Sequence, residues 1–124
     1  MQVPDHYLPI MPYLMVPGGY KFIDFMKEVF GATVQYTTER SPGIIMHGEL
    51  RIGPAVLMFA DVTSEYPAFP ASMFVYLEDV DDVFARALGR PDVVMLQELD
   101  NRPYGRGGGF KDPFGNAWWV NSPI

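Results

Sequence analysis

Two stretches decide the fold: ELRIGPAVLM, Glu49–Met58, and FKDPFGNAWW, Phe110–Trp119. Each sets a turn, Gly53-Pro54 in the first and Pro113-Phe114-Gly115 in the second, between runs rich in β-branched, aliphatic or aromatic residues. Each therefore reads as a β-hairpin. The two lie roughly sixty residues apart, and Tyr13 and Tyr76, or Gly31 and Gly89, are spaced similarly, the mark of an internal duplication.

The same order of elements surrounds each hairpin. Upstream of the first, LPIMPYLMV reads as a strand over 8–16, with Pro9 and Pro12 marking an edge or a strand end. From Tyr20 to Phe30, Phe22, Ile23, Phe25, Met26, Val29 and Phe30 fall mainly on one helical face, away from Lys21, Asp24, Lys27 and Glu28, and Gly31 stops the helix. ATVQYTTER, IIMHGELRI and AVLMFAD then read as three strands. After a loop over 62–70 come SMFVYLED as a strand and VDDVFARAL as a short helix closed by Gly89. DVVMLQEL, GRGGGFKD and NAWWVNS follow as three more strands. The expected architecture is α+β: one domain over 1–124 made of tandem βαβββ modules, about 7–61 and 71–122, whose curved mixed sheet leaves one face to wall a cavity.

Composition narrows the function classes. Among 124 residues the charge is −6, and the basic side chains are scattered, so a nucleic-acid backbone is not an expected partner. Cysteine is absent, which excludes disulfides, thiolate catalysis and cysteine-ligated metal. No run of about 18 uncharged apolar residues occurs, so no membrane span is expected. The opening MQVPDHYLPI carries Pro4, Asp5 and His6 where a signal peptide has a basic end and an apolar run, so a cytoplasmic location is expected.

The order and spacing of PYLMVPGGYKFIDFMKEVFGA, HGELRIGPAVLMFAD, YLEDVDDVFARA and FKDPFGNAWWV resemble the vicinal oxygen chelate superfamily, also called the glyoxalase, bleomycin-resistance and dioxygenase superfamily. The resemblance runs from Met11 to Asn121. Its metal-dependent members hold a divalent cation with four donors from four strands, and those positions match Met11, Met58, Ser72 or a neighbour, and Trp119 here. Two thioethers, a hydroxyl and an indole are poor ligands for such a cation, and neighbours one position away are no better. The resemblance therefore implies no metal, no cofactor and no catalytic residue. It points to the bleomycin-resistance branch, whose members are generally homodimers that bind an antibiotic between subunits and sequester it unchanged.

Strand alternation from Met58 and Trp119 places Met11, Tyr13, Met15, Val56, Met58, Ser72, Phe74, Tyr76, Ala117, Trp119 and Asn121 on the cavity side. Pairing Glu49 with Met58 adds His47, Glu49 and Arg51, and pairing Asp112 with Asn116 sets Gly109 across from Trp119. Such an aromatic and thioether lining suits a flat apolar ligand; the resemblance implies that this ligand is a drug-like natural product with a planar aromatic group, such as a peptide-type antibiotic. Gly105, Gly107, Gly108 and Gly109 either leave room for a slab-shaped group or form a flexible loop or bulge. Arg102 and Arg106 flank them, as hydrogen-bond donors to ligand carbonyls or as solvated surface side chains. His47 and Glu49 read three ways: a base with its orienting partner, ligand contacts, or a seal at the mouth. The rival readings are a metal-dependent lyase, isomerase or dioxygenase using His47, Glu49 and a third donor, and a protein-binding domain whose cavity is filled by its own side chains.

Overall fold

A computed structural model of the chain describes residues 1–123 and divides into two compact units, 1–69 and the remainder from Pro70 onward. The first contains β1 (Tyr13–Val16), α1 (Gly19–Phe30), β2 (Thr33–Ser41), β3 (Ile44–Ile52) and β4 (Ala55–Asp61). Its sheet has the order β1-β4-β3-β2, with β1 parallel to β4 and the other pairs antiparallel. The second contains β5 (Ser72–Tyr76), α2 (Val80–Leu88), β6 (Val94–Arg102), β7 (Gly105–Lys111) and β8 (Ala117–Ser122). Its order, β5-β8-β7-β6, and its strand directions repeat those of the first. The α+β class and the repeated module are as the sequence predicts.

In the first unit α1 covers one face of the sheet. Phe22, Phe25, Met26 and Val29 are fully buried, as are Ile45, Leu50 and Phe59 of the strands. Phe22 and Phe59 meet at 5.2 Å between ring centres, tilted by 58°. Burying each such side chain contributes about 1.5–3 kcal/mol, which is why the apolar stripe, rather than helix propensity, holds α1 in place. Gly48 pairs with Phe59, whose ring fills the volume a β-carbon at Gly48 would need. The N-terminus of α1 has no side chain of its own to satisfy it, because Gly18 and Gly19 occupy it. Asp61, at the end of β4, accepts the N–H groups of Gly18 (3.1 Å), Gly19 (2.8 Å) and Ile45 (2.7 Å), tying helix, β3 and β4 together.

In the second unit Val83 and Ala87 of α2 are buried on the sheet face that carries Phe110, Trp118 and Val120. Trp118 donates its indole N–H to Asp112 (2.8 Å), which also accepts the backbone N–H groups of Phe114 and Asn116. One carboxylate thus closes the β7–β8 turn and satisfies the buried indole. Burial pushes the Asp112 carboxyl above its ordinary range, with these three donors opposing that rise.

Two element boundaries differ from the expectation. β1 begins at Tyr13 rather than near Leu8, because Pro9 and Pro12 supply no N–H to a ladder and bias the residues before them. Met11 accordingly lies outside the strand. β5 ends at Tyr76, with Leu77–Asp79 leading into α2. The run 105–111 is an internal strand, not a loop, and its ladder with β6 shifts register between Met95 and Asp100.

Candidate functional site

Each sheet turns the face opposite its helix outward, and the side chains there are the candidates. In the first unit this face carries Tyr13 and Met15 from β1, Met58 and Ala60 from β4, and His47 and Glu49 from β3. Register shifts in the β2–β3 ladder bring further residues to it. An extra residue at Gln35 lets both Gln35 and Tyr36 reach the Glu49 and His47 side chains, and one at Met46 places Met46 beside His47. A cavity of about 350 Å³ opens here, lined by Tyr13, Met15, Arg40, Met46, Ala60 and Tyr66.

A continuous hydrogen-bond chain runs along one wall. The Tyr13 hydroxyl lies 2.9 Å from His47 Nδ1, and His47 Nε2 lies 2.8 Å from Glu49 Oε2. Glu49 Oε1 accepts from the Tyr7 hydroxyl (2.9 Å) and from Gln35 Nε2 (3.0 Å). Arg51 donates to Gln35 Oε1 (2.9 Å) and to the His6 carbonyl (3.3 Å). Burial alone would raise the Glu49 carboxyl, but the bonds from Gln35, His47 and Tyr7 outweigh it and hold the group below its ordinary range. Burial raises the Tyr13 phenol, against the nearby positive charge of Arg40.

The equivalent face of the second unit solves the same space differently. Where β3 has His47 and Glu49, β7 has Gly107 and Gly109. Where β4 has Ala60 and Met58, β8 has Asn121 and Trp119. Bulk removed from one strand is returned by its neighbour. The Trp119 ring covers Gly109 and the Asn121 amide covers Gly107, each nearer than a β-carbon would permit. Trp119 Nε1 donates to Ser72 Oγ (2.7 Å), which tethers the indole, and Asn121 Nδ2 donates to the Trp119 carbonyl (3.1 Å). Phe74, paired with Trp119, is 55% exposed and Tyr76 is 63% exposed, with their rings in an edge contact 5.2 Å apart. A shallower depression of about 140 Å³ includes Phe74, Gln97, Tyr104, Trp119 and Asn121.

The expected pairings of Glu49 with Met58 and Gly109 with Trp119 are those observed. Tyr13, His47, Glu49 and Met58 share the first face, and Ser72, Phe74, Tyr76, Gly109 and Trp119 share the second. Three expectations need correction. Met11 precedes β1, and the residue paired with Met58 is Tyr13. Arg106 lies on the helix side, bonded to Asp81 of α2 (2.7 Å) and Asn101 (3.1 Å), because Gly107 takes the outward position next to it. The glycine run leaves no empty slot, because Trp119 and Asn121 fill it. The segment around His6 also reaches this face: the His6 carbonyl accepts from Arg51, and the Tyr7 hydroxyl donates to Glu49. Tyr7, Gln35, Arg40, Met46 and Tyr66 carry no periodic signal in the sequence, since register shifts in the β2–β3 ladder, the segment before β1 and the loop after β4 place them.

A divalent cation does not suit these faces. The central positions hold Tyr13, Met58, Phe74 and Trp119, and Ser72 accepts a bond from the indole. Among the described residues no three His, Cys, Asp or Glu side chains converge.

Two βαβββ modules of the same strand order and directions define a class of α+β proteins. The chain belongs to the Glyoxalase/Bleomycin resistance protein/Dioxygenase superfamily, whose family model matches residues 4–120. It is 26% identical to an uncharacterized protein of Mycobacterium tuberculosis over 93% of this chain and 74% of that one. Its fold is similar to TioX from Micromonospora sp. ML1, with a TM-score of 0.78 and 20% identity over 95% of this chain and all (100%) of that one. It is likewise similar to TnmS3, an antibiotic binding protein from Streptomyces sp. CB03234, with a TM-score of 0.67 and 24% identity over 95% and 100% of the two chains.

Proposed function

We propose that this protein binds a small natural product bearing a planar aromatic group and sequesters it without a metal-dependent reaction. The observation that carries this reading is Trp119: an indole set against Gly109, bonded to Ser72, on the sheet face that also carries the exposed rings of Phe74 and Tyr76. A preformed aromatic surface of this kind gains stacking and apolar burial while ordering few side chains of its own. Membership of a superfamily that includes bleomycin-resistance proteins, and likeness in fold to an antibiotic binding protein, support the same reading. The donor set on the sheet faces supports binding over metal chemistry. We infer further that a second copy of the chain helps cover the outward aromatic faces, making the working form a homodimer.

The test is a titration of the purified chain with intercalator-type and glycopeptide antibiotics, followed by tryptophan fluorescence and by mass spectrometry of the recovered compound. Saturable quenching is expected, with Trp119→Phe removing it and leaving the signal of buried Trp118, and the compound should be recovered unaltered. Conversion of the compound that depends on an added divalent ion would overturn the reading. Sedimentation of the same samples reports the oligomeric state.

A further inference from the structure

The first unit holds a second chemical feature that aromatic stacking does not use. Glu49 is buried and accepts from Tyr7 and Gln35, which suits its ionised form. A carboxylate there fixes the proton of neutral His47 on Nε2, leaving Nδ1 to accept from the Tyr13 hydroxyl. The only hydrogen of the Tyr13 hydroxyl is then directed away from the cavity, and its remaining lone pair is free to accept from a ligand. Arg40 lines the same cavity and acts electrostatically on the Tyr13 phenol. No hydrogen bond or ion pair engages its guanidinium among the described residues. The cavity thus offers one acceptor backed by a base, and one positive charge.

We propose that this cavity takes a ligand with an ionisable hydroxyl on an aromatic or unsaturated carbon, a phenol or an enol, and that binding transfers its proton through Tyr13 to His47. The ligand O–H bond breaks as a new O–H bond forms on Tyr13, and the original Tyr13 hydrogen moves to His47 Nδ1. The products are a ligand anion beside Arg40 and an imidazolium between Tyr13 and Glu49. No oxidant, reductant or further reactant is needed. The groups that bear on His47 are Tyr13 from β1, Tyr36 and, through Tyr13, Arg40 from β2, and Glu49 from β3, with Tyr7 acting through Glu49. β4 contributes Met58 and Ala60, which do not titrate. The inference goes beyond the stacking reading, because none of its groups belongs to the Trp119 face.

The experiment uses 4-nitrophenol, whose anion absorbs in the visible, and its methyl ether 4-nitroanisole, which has no proton to give. With the full chain, bound 4-nitrophenol should ionise at a pH lower by about one unit than the free compound, and should bind about tenfold more tightly than the ether. His47→Gln acts on the positioning and proton-holding group, so it should abolish the shift while 4-nitrophenol still binds. Tyr13→Phe, at an exposed ring, should abolish both the shift and the preference over the ether. It also serves as the test if His47→Gln fails to fold. Arg40→Gln should reduce the shift and weaken the anion most. An unshifted ionisation, equal binding of the ether, absence of binding, or a shift that survives Tyr13→Phe would each overturn the proposal. Quenching of Trp119 by planar antibiotics is a separate readout, so either reading can fail alone.

Discussion

The indole of Trp119 lies against Gly109 so closely that its Cε3 and Cζ3 atoms leave no room for a β-carbon there. The relationship gives Gly109→Ala a definite outcome. The added methyl must lift the ring and strain or break its 2.7 Å bond to Ser72. We expect a stability loss of about 1–3 kcal/mol by chemical denaturation, the usual scale of overpacking. Affinity for planar aromatic ligands should fall about tenfold or more, since the stacking surface is displaced. Unchanged affinity in a folded Gly109→Ala variant would count against Trp119 as the ligand platform.

Ser72→Ala separates pinning from packing. Ser72 is exposed, so removing its hydroxyl should cost no more than about 1 kcal/mol of stability. The indole, released from its acceptor but still seated on Gly109, should gain motion that time-resolved fluorescence anisotropy detects. Ligand affinity should fall by a few-fold, because part of the ordering cost then comes at binding. An indole as rigid in the variant as in the natural protein would show that Gly109 alone fixes it.

Much of this arrangement was legible in the chain before any coordinates, and the reason is local. The turns at Gly53-Pro54 and Pro113-Phe114-Gly115 set the registers, and a period of two then assigns Glu49, Met58, Gly109 and Trp119 to their faces. Every strand of the two hairpins came within a few residues for that reason. What failed was whatever an alternation rule cannot carry. Bulges at Gln35 and Met46 put consecutive residues on one side, and Tyr7 arrives from a segment outside any strand. The glycines of β7 read equally as space for a ligand or as a loop or bulge, because sequence alone does not say which neighbour fills a missing side chain. The compensation by Trp119 and Asn121 emerges only when the two units are compared position by position.

Asp61 gives a prediction about the scaffold rather than the ligand. Its carboxylate is buried and accepts three backbone N–H groups, two of them at the start of α1. Asp61→Ala leaves those donors without their acceptor and removes a negative charge from the positive end of a helix. A loss of about 3 kcal/mol is expected in thermal or denaturant unfolding. Asp61→Asn keeps one acceptor oxygen but turns an amide group toward a donor, so it should fall between the two. Equal stability of all three proteins would mean that solvent satisfies the helix terminus as well as Asp61 does.

Glu49 and Asp112 make opposite contributions to stability with pH, and the signs follow from their partners. Burial raises Glu49, but Gln35, His47 and Tyr7 together hold its folded-state carboxyl below the ordinary value of 4.5. Its stabilisation is therefore fully present above that value and is lost as pH falls through the lower, folded-state value. Burial leaves Asp112 above its ordinary 3.8 despite Trp118, Asn116 and Phe114. Its term is favourable below 3.8 and is lost as pH rises through the folded-state value. Glu49→Gln isolates the first term. The stability difference between natural protein and variant should be constant at neutral pH and should narrow progressively below about pH 4.5, while the Asp112 term, common to both, cancels. A difference that widens in acid would mean that burial, not the Tyr7, Gln35 and His47 bonds, governs Glu49.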